Sequence, residues 1–124
     1  MVTTTEVAQL SRECNAWRET LRSYRDEFNM LIDRLQQVAA RQTDKDILCE
    51  VEHLDNQLHI QLINIHDLKQ AIKNHQRSIS SAMAVPALED PAADHEQLFD
   101  DYQNQINMLQ QLHQEFDNFL SQVR

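Results

Sequence analysis

The chain contains no glycine. Turns with positive φ, glycine-rich phosphate cradles and dinucleotide-binding loops all depend on that residue. Its absence excludes turn-rich β architectures, Rossmann domains and P-loop enzymes. Proline is nearly as scarce: Pro86 and Pro91 are the two in the sequence, five positions apart. Everything before and after them is free to form long helices, so the composition predicts an all-α protein with one break. No apolar run approaches the roughly 18–20 residues needed to cross a bilayer. The start, MVTTTEVAQL, lacks the basic residues and apolar run of a signal peptide. Two cysteines without such a signal suit a reducing compartment. Together these features predict one cytoplasmic domain of 124 residues with no membrane partner.

Positive charge is missing where a nucleic-acid binder would carry it. The net charge is −9, and residues 84–124 carry eight acids against the single base Arg124. Without a basic stripe the chain is not expected to bind nucleic acid or anionic lipid.

What the sequence has in abundance is a seven-residue beat. Val7, Leu10, Cys14, Trp17, Leu21, Tyr24, Phe28, Leu31, Leu35 and Val38 recur at spacings of three and four. Thr3 and Glu6 form a possible capping box, so a first helix is expected over about 4–41. Thr43 or Asp44 can cap a second helix over about 45–83. Its seam runs Ile47, Val51, Leu54, Leu58, Gln61, Ile65, Leu68, Ile72, His75, Ile79 and Ala82. Asp94 with Gln97 reads as the cap of a third helix over about 94–123, with Phe99, Tyr102, Ile106, Leu109, His113, Phe116, Leu120 and Val123 on its seam. Short connections make successive helices antiparallel. The expected fold is an up-down-up three-helix coiled-coil bundle. In shape it resembles a spectrin-type repeat, including a tryptophan, Trp17, in the middle of the first helix.

Residues 49–75 hold four of the six histidines and Cys49. The register turns His53, His59 and His66 outward. His59 and His66 lie about 10.5 Å apart along the axis, too far to share one metal ion. Glu50-x-x-His53 has the spacing of ferritin-like di-iron bundles, but it flanks the seam and has no second copy. Cys49 and His53 offer two ligands, short of a site. No metal, no cofactor and no catalytic residue is expected, so the chain reads as a non-enzyme, with a metal-binding helical bundle as a further alternative.

The stretch IHDLKQA is similar to the motif of histidine phosphotransfer domains, which are also helical bundles. His66, Leu68, Lys69 and Ala71 match it, while Gln70 stands at the family's glycine position. The resemblance implies a phosphocarrier in which exposed His66 takes a phosphoryl group and Lys69 neutralises it.

Pairing the helices end to end yields finer expectations. Cys14 falls near Ile72 in the core and Cys49 near Gln37, roughly 35 Å away, which excludes an intrachain disulfide. His75 lies level with Tyr102, and Gln61 with Tyr24 and Phe116, which predicts His75–Tyr102 and Gln61–Tyr24 hydrogen bonds. His113 falls near Leu21 and Ile65 without an obvious partner. Buried seam histidines also suggest pH sensitivity. In this register Val123 reaches only to Leu54 and Leu31, leaving Ile32, Leu35, Val38, Ile47, Leu48 and Val51 uncovered at the hairpin tip. Outward-facing Ile60, Ile63 and Met108 add further apolar area. An apolar tip of this size is expected to bind protein, either a second copy in a homo-oligomer such as a dimer, or a partner's helix.

Overall fold

The structure is a computed structural model, and it describes residues 4–84 and 91–123. Three helices, α1 (Thr4–Ala40), α2 (Lys45–Ala84) and α3 (Pro91–Gln122), form the antiparallel bundle expected from the heptads. Thr3, part of the proposed first cap, lies outside the described residues.

The α1–α2 corner shows how a glycine-free chain turns. No described residue has positive φ. Instead α1 tightens at its end, Arg41 N donating to Val38 O and Gln42 N to Ala39 O. Such i→i+3 bonds use carbonyls that a helix end would otherwise leave open. Asp44 is the cap of α2: its Oδ1 accepts from Asp46 N at 2.8 Å and from Ile47 N at 3.4 Å. At the other corner Pro91 is the first residue of α3, so this helix begins earlier than the expected Asp94 cap. Proline suits that position because its missing N–H is one the first turn leaves unpaired anyway. Gln97 bonds Asp101 rather than closing a capping box.

The core follows the seams. Cys14, Leu21, Phe28 and Leu35 from α1, Leu58, Ile65 and Ile72 from α2, and Leu109 and Phe116 from α3 are fully buried. Burial of each large apolar side chain is worth about 1.5–3 kcal/mol, and this drives the packing. Gln76 adds a polar clamp, its Nε2 donating to Asn15 Oδ1 at 2.9 Å and to Ser11 O at 3.3 Å, while Arg18 donates to Gln76 Oε1 at 3.1 Å.

The long-range register of α3 differs from the sequence expectation. His75 meets His95 rather than Tyr102, and Gln61 meets Gln105 rather than Tyr24 or Phe116. Helix α3 therefore sits about two to three turns nearer the α1–α2 corner than its seam alone suggested. His113, expected to lack a partner, pairs with Glu27 at 2.8 Å and Asp117 at 3.1 Å.

The displaced helix also covers the hairpin tip. Leu35 is fully buried and Ile32 nearly so. Val38, Ile47 and Val51 are half-buried and pack on the core together with Leu120 and Val123. Leu48 is half-buried as well. The expectation of an uncovered tip is thus corrected: the early start of α3 carries its last turn down to that end.

Gln61 and Gln105 form a polar layer inside this core, Gln105 Nε2 donating to Gln61 Oε1 at 2.7 Å. Asn64 Nδ2 reaches the same oxygen at 3.4 Å. Changing Gln105 alone to leucine leaves buried Gln61 without its closest partner and should cost about 1–3 kcal/mol in urea unfolding. Changing both to leucine should restore most of that loss. A double variant less stable than either single one contradicts this account.

Candidate functional site

The densest chemistry lies at the end of the bundle away from the α1–α2 corner. Heptad packing brings one side chain from each helix to a common point: Cys14 from α1, His75 from α2 and His95 from α3. The Cys14 Sγ, a His75 ring nitrogen and a His95 ring nitrogen all lie within 4.8 Å of one another. His95 Nδ1 is 3.1 Å from His75 Nε2 and 3.9 Å from Cys14 Sγ. The other nitrogen of His95, Nε2, lies 2.6 Å from Glu13 Oε2. An ionised carboxylate can only accept, so Nε2 carries the proton, and in neutral His95 the Nδ1 lone pair faces Cys14 and His75.

Aromatic packing fixes the His95 ring. Trp17 stacks on it with centroids 4.6 Å apart, and Tyr102 and Phe99 pack on Trp17 at 5.4 Å and 5.7 Å. Cys14 is fully buried and His95 nearly so, while His75 is half-buried. Burial, helped by the Glu13 carboxylate, pushes the Cys14 thiol up to about 11. Burial and then the neighbouring His95 push His75 below the ordinary histidine value, against the pull of Asp94. Cys14, His95 and Glu13 follow one another as in a nucleophile–base–carboxylate line. Yet a thiol that is buried and held protonated is a poor nucleophile.

The α1–α3 side of the bundle has a second feature. Both helices pack on α2, whereas they meet each other chiefly through long side chains, such as Glu13 to His95 and Glu27 to His113. Clefts open between them at three levels. The upper is lined by Glu13, Trp17, His95, Glu96 and Phe99, and the middle by Tyr24, Glu27, Gln110 and His113. The lowest is lined by Arg34, Gln37, Val38, Arg41, Gln42, Leu120 and Val123. Phe99, expected inside, is 42% exposed at the rim of the upper cleft.

The other residues singled out in the sequence stay apart from this cluster. His53, His59 and His66 are exposed, as the register required, and His59 Nδ1 bonds the Asp55 carbonyl at 2.8 Å. Cys49 is exposed and both cysteines are free. Lys69 is half-buried, and its value is lowered first by burial and then by Arg25, Arg22 and Arg18 across the α1–α2 face. Exposed Ile60, Ile63 and Met108 match expectation, and Met30 joins them at 71% exposure.

His95 went unrecognised in the sequence because the third seam was begun at Phe99. Stepping back four residues from Phe99 lands on His95, so the heptad did contain the signal. Among the described residues no helix is long and apolar enough to cross a membrane. No protein-family model, curated protein or solved structure matches the chain.

Proposed function

We propose that the chain is a non-enzymatic interaction or scaffold module that pairs with a second copy of itself along the α1–α3 side. The observation carrying this reading is the charge pattern of that side. Its upper cleft is acidic, with Glu13 and Glu96, and its lowest cleft is basic, with Arg34 and Arg41. A twofold axis across the middle sets the acidic end of each copy against the basic end of the other, as a self-complementary interface requires. Half-exposed Tyr24, Tyr102, Leu120 and Val123, with Phe99 at the rim, supply the apolar contact between the charged ends. Of the expected tip residues, Val38 belongs to this surface, whereas Ile32 and Leu35 serve the core. An acidic surface favours protein over nucleic acid as partner. Two free cysteines fit a reducing, cytoplasmic setting.

Light scattering over a tenfold concentration range tests the proposal. The wild type should weigh twice its 14.6 kDa at the upper concentrations and dissociate more readily in high salt. Phe99→Glu removes an apolar anchor that is 42% exposed and contributes little to the core. That variant should remain helical and pair at least about 100-fold more weakly. A wild type that stays monomeric throughout rejects the reading.

A further inference from the structure

We propose that Cys14, His75 and His95 form a binding site for a borderline-soft divalent metal ion of the zinc class, with Glu13 orienting His95. A tetrahedral zinc ion holds sulfur at about 2.3 Å and imidazole nitrogen at about 2.0–2.1 Å. Those bonds place neighbouring ligand atoms roughly 3.3–3.6 Å apart. The observed 3.1 Å between His75 Nε2 and His95 Nδ1, and 3.9 Å between His95 Nδ1 and Cys14 Sγ, bracket that range. The third pair, His75 and Cys14, lies within 4.8 Å, so these two side chains would draw together to make three corners of a tetrahedron.

The hydrogen bonding of the cluster supports the same assignment. His95 Nδ1 has one in-plane lone pair, and both the Cys14 sulfur and His75 Nε2 lie within hydrogen-bonding distance of it. One lone pair cannot satisfy two donors. A bound cation would replace this crowding with three lone pairs turned toward it. Glu13 adds the outer partner that metal-bound histidines generally have: its carboxylate accepts the Nε2 proton at 2.6 Å and commits Nδ1 to the ligating role. Trp17, stacked on the ring, fixes its plane.

The upper cleft, lined by Glu13, Trp17, His95, Glu96 and Phe99, opens beside one of the three ligands, His95, and a water molecule would complete a four-coordinate set. Metal binding releases the thiol proton, and the ion's charge offsets the burial that otherwise keeps Cys14 protonated. The three ligands come from three different helices, so the ion would tie α1, α2 and α3 together at the end opposite the Asp44 corner.

Titration of the reduced full chain with Co(II) as the spectroscopic probe tests the site. One equivalent should produce a thiolate-to-cobalt charge-transfer band with the strong visible bands of four-coordinate cobalt, and Zn(II) should displace it. Cys14→Ser should abolish the charge-transfer band, and Glu13→Gln should weaken binding about 10–100-fold while leaving the band's position unchanged. Cys49→Ser should bind as the wild type does. Glu13 and Cys49 lie outside the core, so their variants stay informative even where Cys14→Ser disturbs folding. No stoichiometric band, full affinity in Glu13→Gln, or a band lost in Cys49→Ser overturns the proposal. Titrating below the chain concentration at which light scattering shows pairing leaves the upper cleft uncovered, so the metal result is read apart from self-association.

Discussion

Leu35→Asp unfolds the bundle. Leu35 is fully buried between the core and the last turn of α3, so the substitution removes a large apolar side chain and installs a carboxylate with no partner. Truncating a buried leucine costs about 2–5 kcal/mol. An unpaired buried charge adds about 3–5 kcal/mol more, unless the carboxyl protonates and carries the cost as a raised pKa. The sum matches most of the roughly 5–15 kcal/mol by which a domain is stable. Circular dichroism of the purified variant should show lost helix, or a urea midpoint far below that of the wild type. Leu48→Asp, at a half-buried position on α2, should cost much less and keep the helical signal. From sequence alone the two changes look equivalent, as paired blows to an apolar tip. The placement of α3 separates them, and equal stability in the two variants would show that α3 does not cover Leu35.

Phe116→Ala destabilises the bundle by about 3–5 kcal/mol, the usual cost of emptying a fully buried phenylalanine site. Phe99→Ala, on the same helix at 42% exposure, should cost well under half as much. Phe99 keeps one edge in contact with Trp17, and that aromatic pair is worth only about 0.5–1.5 kcal/mol beyond area. Urea unfolding of the two variants should therefore give well-separated midpoints with similar slopes. Coinciding midpoints would mean that α3 is rotated from the orientation described. The comparison also bears on the proposed interface, because Phe99 contributes little to the fold and so remains available to anchor a second copy.

The fold was legible because its signals are local and repeated. Each seam position restates the same period, and the absence of glycine removes the alternatives. Asp44 was legible for a related reason: a cap needs only a short polar side chain ahead of a periodic run. The placement of α3 along its neighbours was not. A heptad seam fixes which face of a helix turns inward, but it is nearly indifferent to a slide by whole repeats. The slide depends on the connection around residues 84–90 and on which polar groups meet in the interior. A third helix begun at Asp94 gives His75 and Gln61 the wrong partners and His113 none. His95 was hidden by the same error. The candidate cluster therefore escaped notice although two of its three members, Cys14 and His75, already stood on the seams.

That indifference gives the glutamine layer a role in folding. Suppose α3 slides along the hairpin by whole heptads. Each stop presents an apolar stripe to an apolar groove, so dispersion and desolvation alone leave a ladder of nearly degenerate alignments. Only the rung that brings Gln105 to Gln61 also places His95 beside His75 and Cys14. On the neighbouring rungs Gln61 would face Leu98 or Leu112, although on one of them His75 would meet Tyr102. The layer thus sets the energy gap between one alignment and its translated copies, and a chain with leucine at both positions would gain burial but lose the discrimination that makes its landscape single-valued.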